Sequence, residues 1–302
     1  MLFRSPGLPS GADSCSDTLG REAALPPLRE LLATSTLCAV ARVRLDSLLT
    51  ERGLFPSRTR AAAAVLAGDV HLGPGRRRAE KPGQLVAEDV ELDVAAPPPY
   101  VSRGGTKLAN ALDALGLDVA GRHALDVGAS TGGFTDCLLQ RGAAHVLALD
   151  VAYGELAMTL RDDPRVTVLE RVNARSLDPA ALPYRPDLVV ADVSFISLTK
   201  VLPAVLASAD ERFDALVMVK PQFEIGRDRV GKGGVVRDPA LRREALIAVA
   251  EAARTEGAAV LGFASSGLPG PAGNQETFAW LAEGGRAGAV EDLTAAALAV
   301  EP

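Results

Sequence analysis

The sequence predicts an α/β protein in two parts: a small N-terminal α+β unit, then a Rossmann-like domain on a mainly parallel sheet. Three observations predict it. From about residue 124 onward, short apolar runs alternate with helical patterns, the order expected when crossover helices cover a parallel sheet. The first run, Leu125-Asp126-Val127, passes straight into Gly128-Ala129-Ser130-Thr131-Gly132-Gly133, a strand-to-glycine turn suited to presenting helix-opening amides to a ligand. Upstream the charge changes sign. Residues 41–82 hold eight Arg and one Lys against four acids, a net +5, which leaves -11 for the rest of a chain whose total is -6. Such asymmetry points to a basic module joined to an acidic one.

Residues 1–41 mix Gly, Pro, Ser and Ala around one apolar patch, Leu28, Leu31 and Leu32, and are expected to be a disordered extension. The small unit spans 42–94. Val43, Leu45, Leu48, Leu49 and Leu54 form a helical stripe that Gly53 ends, and a second helix opens at Ser57 as N-cap and stops at Gly68. Two strands, 70–72 and 85–94, then flank a loop holding Arg76, Arg77, Arg78 and Lys81. With Arg44, Arg58 and Arg60, these cations would neutralise phosphates and supply affinity without base specificity.

Residues 95–100 form a stiff linker through Pro97, Pro98 and Pro99. The second domain, 101–283, starts with Ser102-Arg103-Gly104-Gly105-Thr106-Lys107-Leu108 and an amphipathic helix through Leu112 and Leu115 to Gly116. Arg103 is a further candidate RNA contact. Strands are predicted at 124–127, 145–150, 166–169, 188–192, 215–220 and 258–264, with helices at 134–140, 155–160, 197–206 and 239–253. Residues 276–281 read as a closing strand at the sheet edge, and 284–302 as a tail too rich in Ala and Gly to assign.

Cys15, Cys38 and Cys137, like His71, His123 and His145, lack metal-ligand spacing, so neither a zinc site nor a disulfide framework is expected and a reducing cytoplasm fits. No apolar run reaches membrane-spanning length, and the N-terminus lacks a signal-peptide pattern.

The glycine turn suggests a cofactor. A dinucleotide fingerprint would need Gly-x-Gly-x-x-Gly, and Ala129-Ser130 follow Gly128 instead. Asp126 suits an ammonium group, and Asp150 ends the next strand about 20 residues on, where a ribose diol would be held. That pair favours S-adenosylmethionine over NAD. Asn173 follows the third strand, where an adenine would lie, and Gly128, Ser130, Gly132, Gly133 and Phe134 complete the candidate cofactor set.

Asp192 and Lys220 close apolar runs at strand carboxyl ends, where open α/β sheets place their ligands. Amino-nitrogen methylation usually needs prolines after such an acid, and Asp192-Val193-Ser194-Phe195 has none. Carbon methylation needs a cysteine nucleophile, and Cys137 sits on the wrong element. Hydroxyl oxygen remains as the acceptor.

Two resemblances extend this reading. Arg44-Leu45-Asp46, Ser57-Arg58-Thr59-Arg60-Ala61 and Ala67-Gly68-Asp69-Val70 resemble the alpha-L RNA-binding motif of small-subunit ribosomal protein four, pseudouridine synthases and tyrosyl-tRNA synthetases. Over residues 42 to about 283, Ser102–Leu108, Asp126–Phe134, Asp192–Ser197, Val219–Glu224, Gly231–Asp238 and Gly270–Glu276 resemble the TlyA family. That resemblance implies an rRNA 2'-O-methyltransferase using S-adenosylmethionine and acting on cytidines, with an FtsJ-like catalytic domain. It also implies a tetrad at Lys107, Asp192, Lys220 and Glu276. Lys220 would be the base, Lys107 would disfavour a second ammonium beside it, and the two acids would orient the amines and the hydroxyl. A catalytically silent ribosome-assembly factor is the alternative, and a haemolysin, a label some relatives carry, is a third.

Overall fold

The computed structural model describes residues 41–95 and 99–301. The expected extension, apart from its last residue, and residues 96–98 of the linker lie outside the described residues. The chain divides into two compact units, one ending at Ala96 and the other beginning at Pro97.

The first unit runs β1 (Arg42–Arg44), α1 (Leu45–Glu51), α2 (Arg58–Ala67), β2 (Val70–Leu72), β3 (Arg77–Arg78), β4 (Leu85–Ala87) and β5 (Leu92–Val94). α1 starts later than its apolar stripe suggests because Arg42–Arg44 pair antiparallel with β4. The predicted strand over 85–94 is two strands, broken by a turn in which Val90 N–H donates to Ala87 O. They join different sheets, β1-β4 and β3-β2-β5. α2 has the predicted caps: Ser57 Oγ accepts from Arg60 N–H, and Gly68 ends the helix in the left-handed region. Leu45, Leu49, Ala61, Val65 and Val70 form its core.

The second unit runs α3 (Arg103–Leu115), β6 (His123–Val127), α4 (Gly133–Gln140), β7 (His145–Asp150), α5 (Met158–Arg161), β8 (Val166–Glu170), β9 (Leu188–Ala191), α6 (Leu202–Ser208), β10 (Asp214–Val219), α7 (Pro221–Glu224), α8 (Pro239–Thr255), β11 (Ala259–Ser265), β12 (Thr277–Ala282) and α9 (Leu293–Val300). Its seven-stranded sheet has the order β11-β12-β10-β9-β6-β7-β8. β12 pairs antiparallel with both β10 and β11, while the pairings from β10 through β9, β6 and β7 to β8 are parallel. The α/β class with a mainly parallel sheet is therefore as predicted.

Side chains alternate between the two faces. Val189, Ala215 and Val217 enter a core under α6, α8 and α9, whereas Leu188, Val190, Leu216 and Met218 enter one under α3 and α4. One expectation needs correction. β12 is internal, not an edge strand, because it pairs with β10 on one side and with β11 on the other, leaving β11 at the edge; its Phe278, Ala279, Leu281 and Ala282 are fully buried. Residues 284–301, which composition leaves unassigned, carry α9, whose Leu293 and Ala297 join the core, and Glu301 accepts from Arg242 Nε and Thr277 Oγ1, each at 2.8 Å. The predicted helix over 197–206 is split into a 3-10 turn, Leu198–Lys200, and α6, where Pro203 is tolerated in the first turn because no N–H is needed there. Among the described residues no helix is long and apolar enough to cross a membrane.

Candidate active site

β6 and β9 are neighbours, yet the chain leaves them toward opposite sheet edges, so a crevice opens at their carboxyl ends. Gly128 and Asp192 face each other across it. Gly128 has φ +85°, and a Cβ there would meet the Asp192 carbonyl oxygen at 2.6 Å, so glycine lets the two strand ends close up. Gly132, at φ +97°, is held for a different reason: its Cβ would strike Leu160 Cδ1 at 2.3 Å.

Two adjoining cavities open from this crevice, sharing Gly128, Ser130, Asp192, Ser194 and Phe195 as walls. The first, about 460 Å³, reaches Asp150, Glu155 and Asn173. Asp150 accepts from Ser130 N–H at 2.7 Å and from Ala152 N–H at 2.8 Å, which fixes the carboxylate while leaving lone pairs for a diol. Asn173 Oδ1 accepts from Arg175 N–H at 3.0 Å, leaving its amide donors for a ligand. Glu155, which the sequence reading missed, accepts from Ser130 Oγ at 3.1 Å.

The second cavity, about 620 Å³, is walled by Phe134 and Arg103 and by all four tetrad candidates. Arg103 Nη2 donates to Pro269 O at 2.6 Å, tying the start of α3 to the loop before β12. Lys107 and Glu276 are 6% and 3% exposed and form an ion pair. Lys220 Nζ lies 2.5 Å from Asp192 Oδ1, an ion pair without directed hydrogen-bond geometry, and donates to Ser194 Oγ at 2.8 Å. Residues from four separate segments thus converge as two ion pairs around one cavity.

Asp126, expected to meet an ammonium, is fully buried and walls neither cavity; its Oδ2 accepts from Thr135 N–H at 2.9 Å and Thr135 Oγ1 at 2.7 Å, so it secures the first turn of α4 from beneath the glycine turn. Burial, with the nearby charges of Asp192 and Asp150, outweighs those hydrogen bonds and raises its carboxyl to about 7. Gly132 likewise lies outside both walls, and Gly133 opens α4 at the wall of the second cavity. The apolar environment that makes 125–127 a good buried strand also removes Asp126 from solvent.

Other residues hold the loops in place. Asn274, 2% exposed, donates through Nδ2 to Gly234 O at 2.7 Å and accepts at Oδ1 from Val236 N–H at 2.8 Å, docking the glycine-rich 231–236 segment beside Glu276. Glu224 accepts from Leu198 N–H at 2.9 Å and Ser197 Oγ at 2.5 Å, and burial raises its pKa against those two hydrogen bonds. The signal for both lies in the motifs themselves, whose polar residues brace loops as well as carry charge.

In the first unit, the cationic candidates fall into two groups. Arg44 and Arg58 pair with Asp46, Arg76 pairs with Asp93, and Arg78 donates to the carbonyls of Leu66 and Ala67 at the end of α2. Arg60, Arg77 and Lys81 have no side-chain partner among the described residues.

Residues 100–283 match the family model described as FtsJ-like methyltransferase. The 16S/23S rRNA (cytidine-2'-O)-methyltransferase TlyA of Mycobacterium tuberculosis (strain ATCC 25618 / H37Rv) is 52% identical over 242 residues, covering 80% of this chain and 90% of its own. Hemolysin A of Brachyspira hyodysenteriae is 40% identical over 205 residues, covering 68% of this chain and 85% of its own. Among solved structures, a hemolysin candidate from Streptococcus thermophilus superposes with a TM-score of 0.64 at 36% identity, covering 86% of this chain and 96% of that one. A chain that matches TlyA proteins over most of its length, and carries the FtsJ-like domain around a two-ion-pair cavity, belongs to the TlyA family of FtsJ-like methyltransferases.

Proposed function

We propose that the protein methylates the 2'-hydroxyl of a cytidine ribose in ribosomal RNA, using S-adenosylmethionine. The observation that carries this reading is the tetrad Lys107, Asp192, Lys220 and Glu276 around the second cavity, which adjoins the first with its fixed carboxylate and amide. The first cavity fits the cofactor: Asp150 would accept from its ribose diol, Asn173 would donate to its adenine, and the Gly128 turn gives backbone access. Ser130, a wall of both cavities, would complete that cradle, and Gly133 and Phe134 would meet the cofactor from the tetrad side. When bound, S-adenosylmethionine supplies an electrophilic methyl group on a sulfonium.

A ribose 2'-hydroxyl is a weak nucleophile at neutral pH and needs its proton removed as it reacts. Lys220, in its neutral form, takes that proton, and Asp192 balances the ammonium that results. Lys107 faces the same cavity with its charge compensated by Glu276, and its remaining N–H groups hold the acceptor oxygen while negative charge builds there. Residues 42–94 act as an alpha-L module that grips folded rRNA through Arg60, Arg77 and Lys81, and in the second unit Arg103, a wall of the tetrad cavity, is a separate cationic contact for RNA. A cytoplasmic location follows from that substrate.

The test is substitution at the base. Lys220→Ala should abolish methyl transfer while leaving cofactor and RNA affinity nearly intact, because the lost interaction acts in the transition state. Lys220→Arg should fail too, since a guanidinium stays protonated. Activity in the arginine variant would remove the base role from Lys220, and RNA containing a 2'-deoxy target should bind without reacting.

A further inference from the structure

Ser194 stands where the two cavities meet, and the tetrad chemistry leaves its hydroxyl without a role. It is the group that gives Lys220 Nζ a directed hydrogen bond, at 2.8 Å. Asp192 lies closer, at 2.5 Å, but Oδ1 makes no directed hydrogen bond, so it attracts the amine without setting its rotation about the Cε–Nζ bond.

The loop that carries Ser194 is braced. Phe195, 92% exposed, takes φ +65°, a region that aromatic residues rarely adopt, and its ring lies 5.4 Å from that of Phe223 on α7. At the far end of the loop, Glu224 holds Ser197 Oγ and Leu198 N–H. Glu224 belongs to α7, which begins directly after Lys220. Lys220 and Ser194 therefore sit on two segments joined at both ends, once through Nζ and Oγ and once through Glu224.

We infer that Ser194 is a positioning residue for methyl transfer, its hydroxyl accepting one N–H of Lys220 so that the amine's lone pair faces the acceptor hydroxyl. A neutral amine has two N–H bonds and one lone pair. With one N–H directed to Ser194 and the other drawn to Asp192, the lone pair takes the remaining tetrahedral direction. Loss of the hydroxyl leaves Asp192 attracting the amine in several rotations, of which only some are productive.

This rests on Lys220 as the base, so Ser194→Ala, Ser194→Thr and Lys220→Arg are compared in the full chain, with rRNA transcript as acceptor. Expected is a fall in kcat of about tenfold for Ser194→Ala, the weight of one directed hydrogen bond. The KM for RNA and the calorimetric affinity for S-adenosylmethionine should stay within about twofold, and Ser194→Thr, which keeps the hydroxyl, should recover most of the rate. The inference is overturned if Ser194→Ala turns over like the parent, if its deficit lies in cofactor or RNA affinity, or if Ser194→Thr is as slow as Ser194→Ala. Lys220→Arg separates the two readings: an active arginine variant removes the base assignment itself, whereas an inactive one beside a parent-like Ser194→Ala removes only the role of Ser194.

Discussion

The Lys107–Glu276 pair should be a structural element as much as a chemical one, and the two contributions can be separated by mutation. Both side chains are almost fully buried, so removing either leaves an uncompensated charge in a low-dielectric setting. Breaking a buried pair from one side costs about 3–5 kcal/mol, whereas replacing both partners by apolar groups is often close to neutral. Lys107→Met and Glu276→Leu should therefore each destabilise the second unit by about 3–5 kcal/mol, a fall in Tm on the order of 10 °C for a domain of this size. The double variant should regain most of that stability and remain inactive. Trp280, the single tryptophan, lies on β12 four residues beyond Glu276 and donates to Asp214 Oδ1 at 2.9 Å, so its fluorescence reports urea unfolding of this sheet directly. Parallel methyl-transfer assays give the chemical side. Single variants as stable as the parent, or a double variant that loses the sum of the two singles, would refute the buried-pair reasoning.

Two further predictions concern charge. Asp126 keeps its proton in the folded state up to about pH 7 while an ordinary carboxyl titrates near 3.8, so its contribution to stability is complete below the lower value and disappears as pH rises through the higher. Asp126→Asn removes this titration, and the parent should lose more stability than the variant between about pH 5 and about pH 8; equal losses would contradict the burial argument. In the first unit, Arg60→Glu, Arg77→Glu and Lys81→Glu together should weaken rRNA binding and flatten its salt dependence without lowering Tm, while Arg78→Glu should lower Tm because that guanidinium closes the end of α2. Unchanged RNA affinity in the triple variant would move the grip elsewhere.

How much the sequence disclosed depended on how local the cause was. The caps of α2 and the glycine turn at Gly128 follow from residues a few positions apart, and both stand where the pattern puts them. Asp192 and Lys220 are legible as charges that close apolar strands, whereas Lys107 and Glu276 are legible only through motif resemblance, because nothing local brings the two together. The internal place of β12 escaped periodicity, since an apolar run suits an edge or a centre equally until its neighbours are known. α9 was illegible for a related reason: Leu293 and Ala297 matter through what they pack against, and an alanine-rich stretch carries little helical contrast. By residue type Asp126 is a carboxylate near a ligand turn, whereas its position inside a strand buried on both faces encloses it.

The separation of 169 residues between Lys107 and Glu276 has a consequence for when the enzyme can act. A contact that closes so long a loop gains nothing until the intervening sheet has assembled, and β12 must slot between β10 and β11 before Glu276 reaches its partner. If the tetrad is the catalytic set proposed above, competence requires the sheet to be closed through β12, because until Glu276 is in place Lys107 has no charge partner at the cavity. A chain still emerging from the ribosome, before its last strand has been made, would then hold the other three residues without the fourth.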